Sequence, residues 1–127
     1  MADEKKTVLV IDDEPDTQIY ISSLLEDNGF ATVIAKDGDE ALKMVLEKQP
    51  DLITLDITMP EKSGVRFYRD IKENNALKHI PIIMVTGIAK DFEKFISSRR
   101  QVPPPEGYVS KPIDKEKILQ LAKKLTA

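Results

Sequence analysis

The chain contains no cysteine among its 127 residues. Disulfides, thiolate metal sites and cysteine nucleophiles are therefore excluded, and a reducing cytoplasm is the expected setting. The polar amino terminus lacks the apolar stretch of a signal peptide, and no apolar run approaches the length of a bilayer span. A net charge of -3 provides no basic face for nucleic acid. The sequence thus predicts a cytoplasmic protein that binds other proteins, with no nucleic acid and no membrane among its partners.

The length and the composition both fit one folded domain. A chain of this size buries roughly two-thirds of its unfolded surface in a single core. The apolar share of 41% and the charged share of 32% are typical of a globular protein. We therefore expect residues 1–127 to form a single domain.

Short apolar runs alternate with segments of helical periodicity along the whole chain. The predicted strands are 7–11, 32–35, 51–55, 82–85 and 107–109. The predicted helices begin near Pro15, Asp39, Gly64, Ala89 and Asp114. In the second of these helices, Ala41, Leu42, Val45 and Leu46 are expected to form one apolar face. Strict alternation predicts an α/β, flavodoxin-like, doubly wound fold with five helices and a five-stranded parallel sheet of order 2-1-3-4-5.

Polar residues follow the predicted strands at the edge where such sheets bind ligands. In doubly wound sheets, ligands bind outside the carboxyl ends of the strands, where the strand order reverses. The residues expected at this edge are Asp12, Asp13, Asp56, Thr86 and Lys111. Three carboxylates about 5 Å apart repel one another by about 3 kcal/mol per pair at an effective dielectric constant near 20. A cation is therefore expected among them.

The ligand types favour Mg2+, because a set of oxygen donors without cysteine or clustered histidine suits a hard cation. Lys111 supplies a second positive charge. A carboxylate beside Mg2+ and a lysine can act as a nucleophile toward a phosphoryl group, whose oxygens the two cations neutralise. Asp56 is the candidate nucleophile, and Thr86 is a candidate donor to the transferred group.

Four motifs make the whole chain resemble the receiver domain of two-component response regulators, the CheY-like family. They are Val10-Ile11-Asp12-Asp13-Glu14-Pro15, Leu55-Asp56-Ile57-Thr58-Met59-Pro60 with Gly64 downstream, Val85-Thr86-Gly87, and Tyr108-Val109-Ser110-Lys111-Pro112. By that resemblance, the chain is a phosphoacceptor that catalyses only its own phosphorylation and dephosphorylation. The resemblance implies a histidine kinase or histidine phosphotransfer protein as donor and a downstream protein as target. It also implies a monomer or a phosphorylation-dependent dimer.

The same resemblance assigns individual roles. Asp13 and Asp56 bind Mg2+ directly together with the backbone carbonyl of Thr58, and Asp12 acts mainly through water. Asp56 accepts the phosphoryl group, and Lys111 and Thr86 hold its oxygens. Tyr108 follows Thr86 inward as a switch that changes the surface of the fourth helix, the fifth strand and the fifth helix. The Lys111–Pro112 peptide bond is expected to be cis.

The proline-rich segment 101–107 departs from the family, which has a short turn there. Pro103, Pro104 and Pro105 favour polyproline II, and the segment is either a spacer or a partner surface. Taken singly, the site residues also have structural interpretations: the Asp12-Asp13 pair fits a helix cap, and Tyr108 fits a packed core residue. Their joint spacing favours the functional interpretation.

Three alternative functions are possible on this fold, and each one fits the sequence less well than a receiver domain does. A nucleotide or flavin binder needs glycines after the first strand, where this chain has Asp12, Asp13 and Glu14, and no G-x-G-x-x-G is present. A haloacid-dehalogenase-like phosphatase needs a second aspartate where Thr58 stands. A pseudo-receiver that binds partners without phosphorylation would not need the complete acidic set.

Overall fold

The computed structural model describes residues 5–56, 63–86 and 105–127. Its elements, in chain order, are β1 (Thr7–Ile11), α1 (Pro15–Asp27), β2 (Ala31–Ala35), α2 (Gly38–Glu47), β3 (Leu52–Leu55), α3 (Ser63–Lys72), β4 (Ile82–Thr86), β5 (Gly107–Ser110) and α4 (Lys115–Leu125). The helix predicted to begin near Ala89 lies outside the described residues. Among the described helices, none has both the length and the apolar character that crossing a bilayer requires.

The five strands form one parallel sheet in the order β2-β1-β3-β4-β5. This order confirms the predicted flavodoxin-like topology. The central strands β1 and β3 are apolar on both faces, and the segments 8–11 and 52–55 are almost completely buried. A strand of this composition is stable only when helices cover both of its faces.

Two apolar layers cover the faces of the sheet. One layer joins the sheet to α2 and α3 and includes Ala41, Val45 and Phe67. The other joins it to α1 and α4 and includes Ile21, Leu25 and Ile118. Each layer follows from the spacing of apolar residues along its helices, because residues three or four apart lie on one helical face.

Leu46 corrects the predicted apolar face of α2. Ala41 and Val45 are fully buried, but the side chain of Leu46 is 65% exposed. Leu46 follows Val45 directly, so it lies about 100° further around the helix, away from the sheet. The buried face of α2 is therefore narrower than the sequence suggested.

The helix starts follow from local capping. The carboxylate of Asp37 accepts a hydrogen bond from the backbone N–H of Glu40 at 2.8 Å, so α2 begins at Gly38. Asp114 caps α4 in the same way by accepting from the N–H of Lys117. Pro15 opens α1, where its missing N–H has no consequence.

An ion pair joins α3 to the start of β5 at the amino edge of the sheet. Lys72 Nζ lies 2.9 Å from both carboxylate oxygens of Glu106, and the Lys72 side chain is only 2% exposed. Glu106 Oε1 also accepts from the N–H of Ile82 at 2.7 Å. The pair therefore fixes the segment that enters β5 against both α3 and β4.

Replacing Lys72 by Ala should destabilise the fold. We expect a loss of about 2 to 3 kcal/mol, below that of a fully buried pair, because Glu106 keeps partial access to water. Chemical denaturation would measure the loss, with Lys78→Ala, an exposed lysine, as the control that stays near wild type. A Lys72→Ala protein as stable as that control would contradict a structural role for the pair.

Candidate metal centre at the carboxyl edge of the sheet

Backbone hydrogen bonds bring the ends of neighbouring strands together at the carboxyl edge. Asp12 follows β1, and its N–H donates to the carbonyl of Ala35 at the end of β2 at 3.2 Å. Asp56 follows β3, and its N–H donates to the carbonyl of Ile11 at 3.1 Å. The two aspartates are therefore placed side by side by the register of the sheet itself.

Lys111 connects the carboxylates. Its Nζ lies 3.0 Å from Asp56 Oδ2, 3.3 Å from Asp12 Oδ2 and 3.2 Å from Glu14 Oε1. The side chains of Asp12 and Asp56 are each 1% exposed, whereas that of Glu14 is 63% exposed. The contacts with the two buried aspartates are therefore the strong ones, since water screens the contact with Glu14.

The site holds more negative charge than one lysine compensates. Burial raises the pKa of Asp12, the hydrogen bond from the Glu14 N–H lowers it, the charge of Asp56 raises it and Lys111 lowers it. The net result is a pKa above the ordinary 3.8. Burial lowers the pKa of Lys111, but its hydrogen bond with Asp56 and the charges of Asp56 and Asp12 outweigh burial and raise it. Lys111 is therefore a permanent cation, and the ionised form of Asp12 is disfavoured without further positive charge.

Four acidic side chains could hold that positive charge as a metal ion. Asp12, Asp13, Glu14 and Asp56 each offer a carboxylate oxygen, and these oxygens lie within 4.8 Å of one another. Asp12 and Asp56 are buried, whereas Asp13 and Glu14 face water. A half-open set of oxygen donors fits Mg2+, which retains several water ligands and takes one or two carboxylates.

The structure places most of the predicted site residues at this edge. Asp12, Asp13, Asp56 and Lys111 lie together there, and the backbone of Thr86 ends β4 opposite Ser110 in the register, one residue before Lys111. Thr58, the predicted carbonyl ligand, lies outside the described residues. The Lys111–Pro112 peptide bond, predicted to be cis, is cis.

Tyr108 lies in β5, two residues before the strand ends at this edge. It is half-buried and packs against the apolar layer of α2 and α3. Its neighbour Tyr68 is fully buried, and burial together with the charge of Glu106 and the proximity of Tyr108 raises the pKa of Tyr68. The predicted switch residue therefore borders the apolar core, with a second tyrosine beside it.

Two residues at the site were not predicted from the sequence. Glu14 belongs to the acidic cluster and contacts Lys111. Its position directly after the Asp12-Asp13 pair is the sequence feature that could have identified it. Gln18 donates through Nε2 to the backbone carbonyl of Asp12, which orients the turn after β1. The signal for Gln18 is its position on the first turn of α1, facing back toward the strand.

The strand order and the acidic edge define an α/β protein of the CheY-like class. A family model described as the response regulator receiver domain matches residues 8–123. The chain belongs to this family, which comprises signalling domains of two-component systems and not classical enzymes.

Named relatives agree with this assignment. The chain is 33% identical over 118 residues to the polar-differentiation response regulator DivK of Brucella anthropi, covering 93% of this chain and 94% of DivK. The crystal structure of chemotaxis protein CheY4 of Vibrio cholerae is similar with a TM-score of 0.82 at 26% identity, covering 96% of this chain and 99% of CheY4. The receiver domain of a histidine kinase from Syntrophus aciditrophicus matches with a TM-score of 0.83 at 26% identity, covering 95% and 89% of the two chains.

Replacing Asp12 by Asn should change how the stability of the fold depends on Mg2+ and on pH. Because the pKa of Asp12 is raised in the fold, the folded state binds more protons than the unfolded state just above pH 3.8. Ionised Asp12 therefore destabilises the metal-free fold at pH values above its raised pKa. This destabilisation disappears as the pH falls below 3.8. In EDTA at neutral pH, Asp12→Asn should therefore melt at a higher temperature than wild type.

Added Mg2+ should reverse that order. At ten times its dissociation constant, the ion should stabilise wild type by about 1.4 kcal/mol and Asp12→Asn by less. Thermal unfolding in EDTA and in Mg2+ measures both effects, with the exposed Asp70→Asn as the control. An Asp12→Asn variant that melts below wild type in EDTA would contradict a strained acidic pocket.

Proposed function

We propose that residues 1–127 act as one receiver domain that accepts a phosphoryl group on Asp56 in the presence of Mg2+. The donor would be the phosphohistidine of a histidine kinase or of a histidine phosphotransfer protein. The observation that carries the proposal is the 3.0 Å contact between Lys111 Nζ and Oδ2 of a buried Asp56, inside a cluster of carboxylates that suits Mg2+.

The surroundings of Asp56 support its role as the nucleophile. An Asp56 carboxylate oxygen attacks the phosphorus atom, the phosphorus–nitrogen bond of the phosphohistidine breaks, and the imidazole leaves with the electron pair. The product is an aspartyl phosphate, and its oxygens need positive partners in the loose transition state. Lys111 already lies at the attacking carboxylate and carries a permanent positive charge.

The remaining roles are those that the resemblance to the receiver family implies. Mg2+, when bound, neutralises phosphoryl oxygens as charge develops. Asp13 and Asp56 would hold the ion directly with the Thr58 carbonyl, and Asp12 would act mainly through water. Lys111 and Thr86 would hold the phosphoryl oxygens. The same site would catalyse the hydrolysis of its own aspartyl phosphate and no other reaction.

The output is proposed to be a protein interaction on the surface of β5, α4 and the helix predicted to begin near Ala89, which lies outside the described residues. Thr86 ends β4 and Tyr108 lies in β5, so a bond from Thr86 to the phosphoryl group would be transmitted first to this face. One charge-assisted hydrogen bond is worth about 1.5 to 3 kcal/mol, which biases a two-state equilibrium roughly ten- to hundred-fold.

The output proposal predicts where amide exchange changes. Adding beryllofluoride, a mimic of the aspartyl phosphate, should alter protection most between residues 87 and 109. Thr86→Ala should keep phosphorylation while reducing this response. Protection changes centred on α1 and α2 instead would place the output on the opposite side of the domain.

The rival function is a pseudo-receiver that binds partners without phosphorylation. Intact-mass measurement after incubation with acetyl phosphate distinguishes the two. A receiver gains the mass of one phosphoryl group in Mg2+ and not in EDTA. A pseudo-receiver gains none in either buffer, and that result would end the phosphoacceptor proposal.

A further inference from the structure

The edge strand β2 presents backbone groups that the sheet does not use. The N–H of Ala31 donates to the Lys6 carbonyl at 2.9 Å, and the carbonyl of Ala35 accepts from Asp12. Alternate residues of a strand face opposite neighbours, so residues 31, 33 and 35 bond toward β1. The N–H and C=O groups of Thr32 and Ile34 therefore point outward, and no backbone group or side chain within 5–56, 63–86 or 105–127 bonds to them.

The side chains along this edge are apolar and accessible. Val33 is 39% exposed on the face of α2, and Ile34 is 37% exposed on the other face. Beside Val33 lies an open pocket of about 360 Å³, whose lining includes Met44 of α2 and Pro50. An edge strand with outward backbone groups and apolar side chains is a template for pairing with another strand.

We propose that a second copy of this chain pairs with β2 in antiparallel orientation, around a two-fold axis through Val33. In this register Thr32 of each copy faces Ile34 of the second copy. Each such pair exchanges two backbone hydrogen bonds, so all outward groups of both residues are used. Val33 faces Val33 of the second copy as a pair without mutual hydrogen bonds, where side chains approach most closely and where both border the apolar pocket.

Charge complementarity in the same register favours a second copy over an unrelated strand. The carboxylate of Glu26 lies beside Thr32, whose hydroxyl donates to it at 2.5 Å. Lys36 is exposed just beyond the end of β2, two residues after Ile34 and on the same face. Because Ile34 of one copy faces Thr32 of the other, Lys36 of each copy lies diagonally next to Glu26 of the second. The two-fold axis produces this opposite-charge contact twice.

The size of the contact predicts a weak dimer. Only a five-residue strand and its borders meet, so the interface belongs to the small, transient class. We expect a dissociation constant of about 0.1 to 1 mM for the dimer, which corresponds to a modest binding free energy. The two-fold contact lies on β2, at the opposite edge of the sheet from β5, so it leaves the proposed output face open.

The absence of native cysteine makes a single-cysteine test unambiguous. Paired residues without mutual hydrogen bonds have Cα atoms roughly 4.5 Å apart, which a disulfide can bridge. Val33→Cys should therefore form a covalent dimer in a glutathione redox buffer at least tenfold faster than Leu46→Cys. Leu46 is the matched control because it is more exposed, at 65%, yet is not among the residues that line the pocket beside Val33. Equal rates, or a faster Leu46→Cys, would overturn the proposal.

Charge exchange tests the register independently. In the Val33→Cys background, Lys36→Glu and Glu26→Lys should each slow the cross-linking several-fold, and the double variant should restore it. A double variant no faster than either single variant would overturn the antiparallel register. Wild-type chain that sediments as a monomer at 1 mM would overturn self-association. A strand of a different protein would then be the alternative partner for the β2 edge.

Discussion

Replacing Asp56 by Asn is expected to abolish phosphorylation by acetyl phosphate. The amide lacks the negative charge that attacks phosphorus, and Asp56 is the buried carboxylate that contacts Lys111 at the shortest distance in the cluster. The other buried carboxylate, Asp12, lies 3.3 Å from the same ammonium group, and the N–H of Glu14 donates to its Oδ1 at 2.9 Å. Asp12 is therefore occupied on both oxygens, and we expect no transfer of the reaction to it.

The control for Asp56→Asn is Asp70→Asn, an isosteric change at an exposed carboxylate of α3. Both variants should retain the helical circular dichroism of the wild type. Intact mass in Mg2+ should show one added phosphoryl group on the control and none on Asp56→Asn. Full and persistent labelling of Asp56→Asn would assign the acceptor to another residue.

Replacing Lys111 by Met is expected to slow phosphorylation by roughly ten- to hundred-fold, because a charge-assisted hydrogen bond worth about 1.5 to 3 kcal/mol is lost at the reacting oxygens. Methionine keeps a similar length and removes only the charge and its donors. The same change removes the one described cation that contacts Asp12 and Asp56. The metal-free fold should therefore become less stable, and Mg2+ should restore more stability to this variant than to wild type.

The matched control is Lys43→Met, an exposed lysine of α2 that is outside the acidic cluster. Single-turnover rates at saturating Mg2+ separate the loss of Lys111 from any change in metal affinity. Lys111→Met phosphorylated as fast as Lys43→Met would show that the ammonium group has no part in the transition state. If Lys111→Met left the metal-free stability unchanged, the ammonium group of Lys111 would not neutralise the carboxylates of Asp12 and Asp56.

The topology and the acidic edge were predictable because both depend on rules that act along the chain. Strict alternation of apolar strands and amphipathic helices leaves few parallel arrangements, and the observed order is the common one. Once the order is known, Asp12, Asp56 and Lys111 must lie at one edge of the sheet, since each directly follows a strand of the same parallel sheet. No side-chain packing had to be known in advance.

Features that depend on distant contacts were not predictable in the same way. The Lys72–Glu106 pair joins residues 34 positions apart, and neither residue stands out among the 41 charged residues of the chain, 19 basic and 22 acidic. The exposure of Leu46 depends on the angle at which α2 meets the sheet, which a short apolar pattern does not fix. Sequence patterns therefore give the site more readily than the contacts that hold the surrounding elements in place.

The most direct test of the phosphoacceptor account is to locate the phosphoryl group chemically. An aspartyl phosphate is an acyl phosphate, and borohydride reduces it to the alcohol, so the modified aspartate becomes homoserine. After phosphorylation with acetyl phosphate in Mg2+ and reduction, peptide sequencing by mass spectrometry should find homoserine at position 56, and in EDTA at no position. Homoserine at position 12 or 13, or equal amounts with and without Mg2+, would contradict the account.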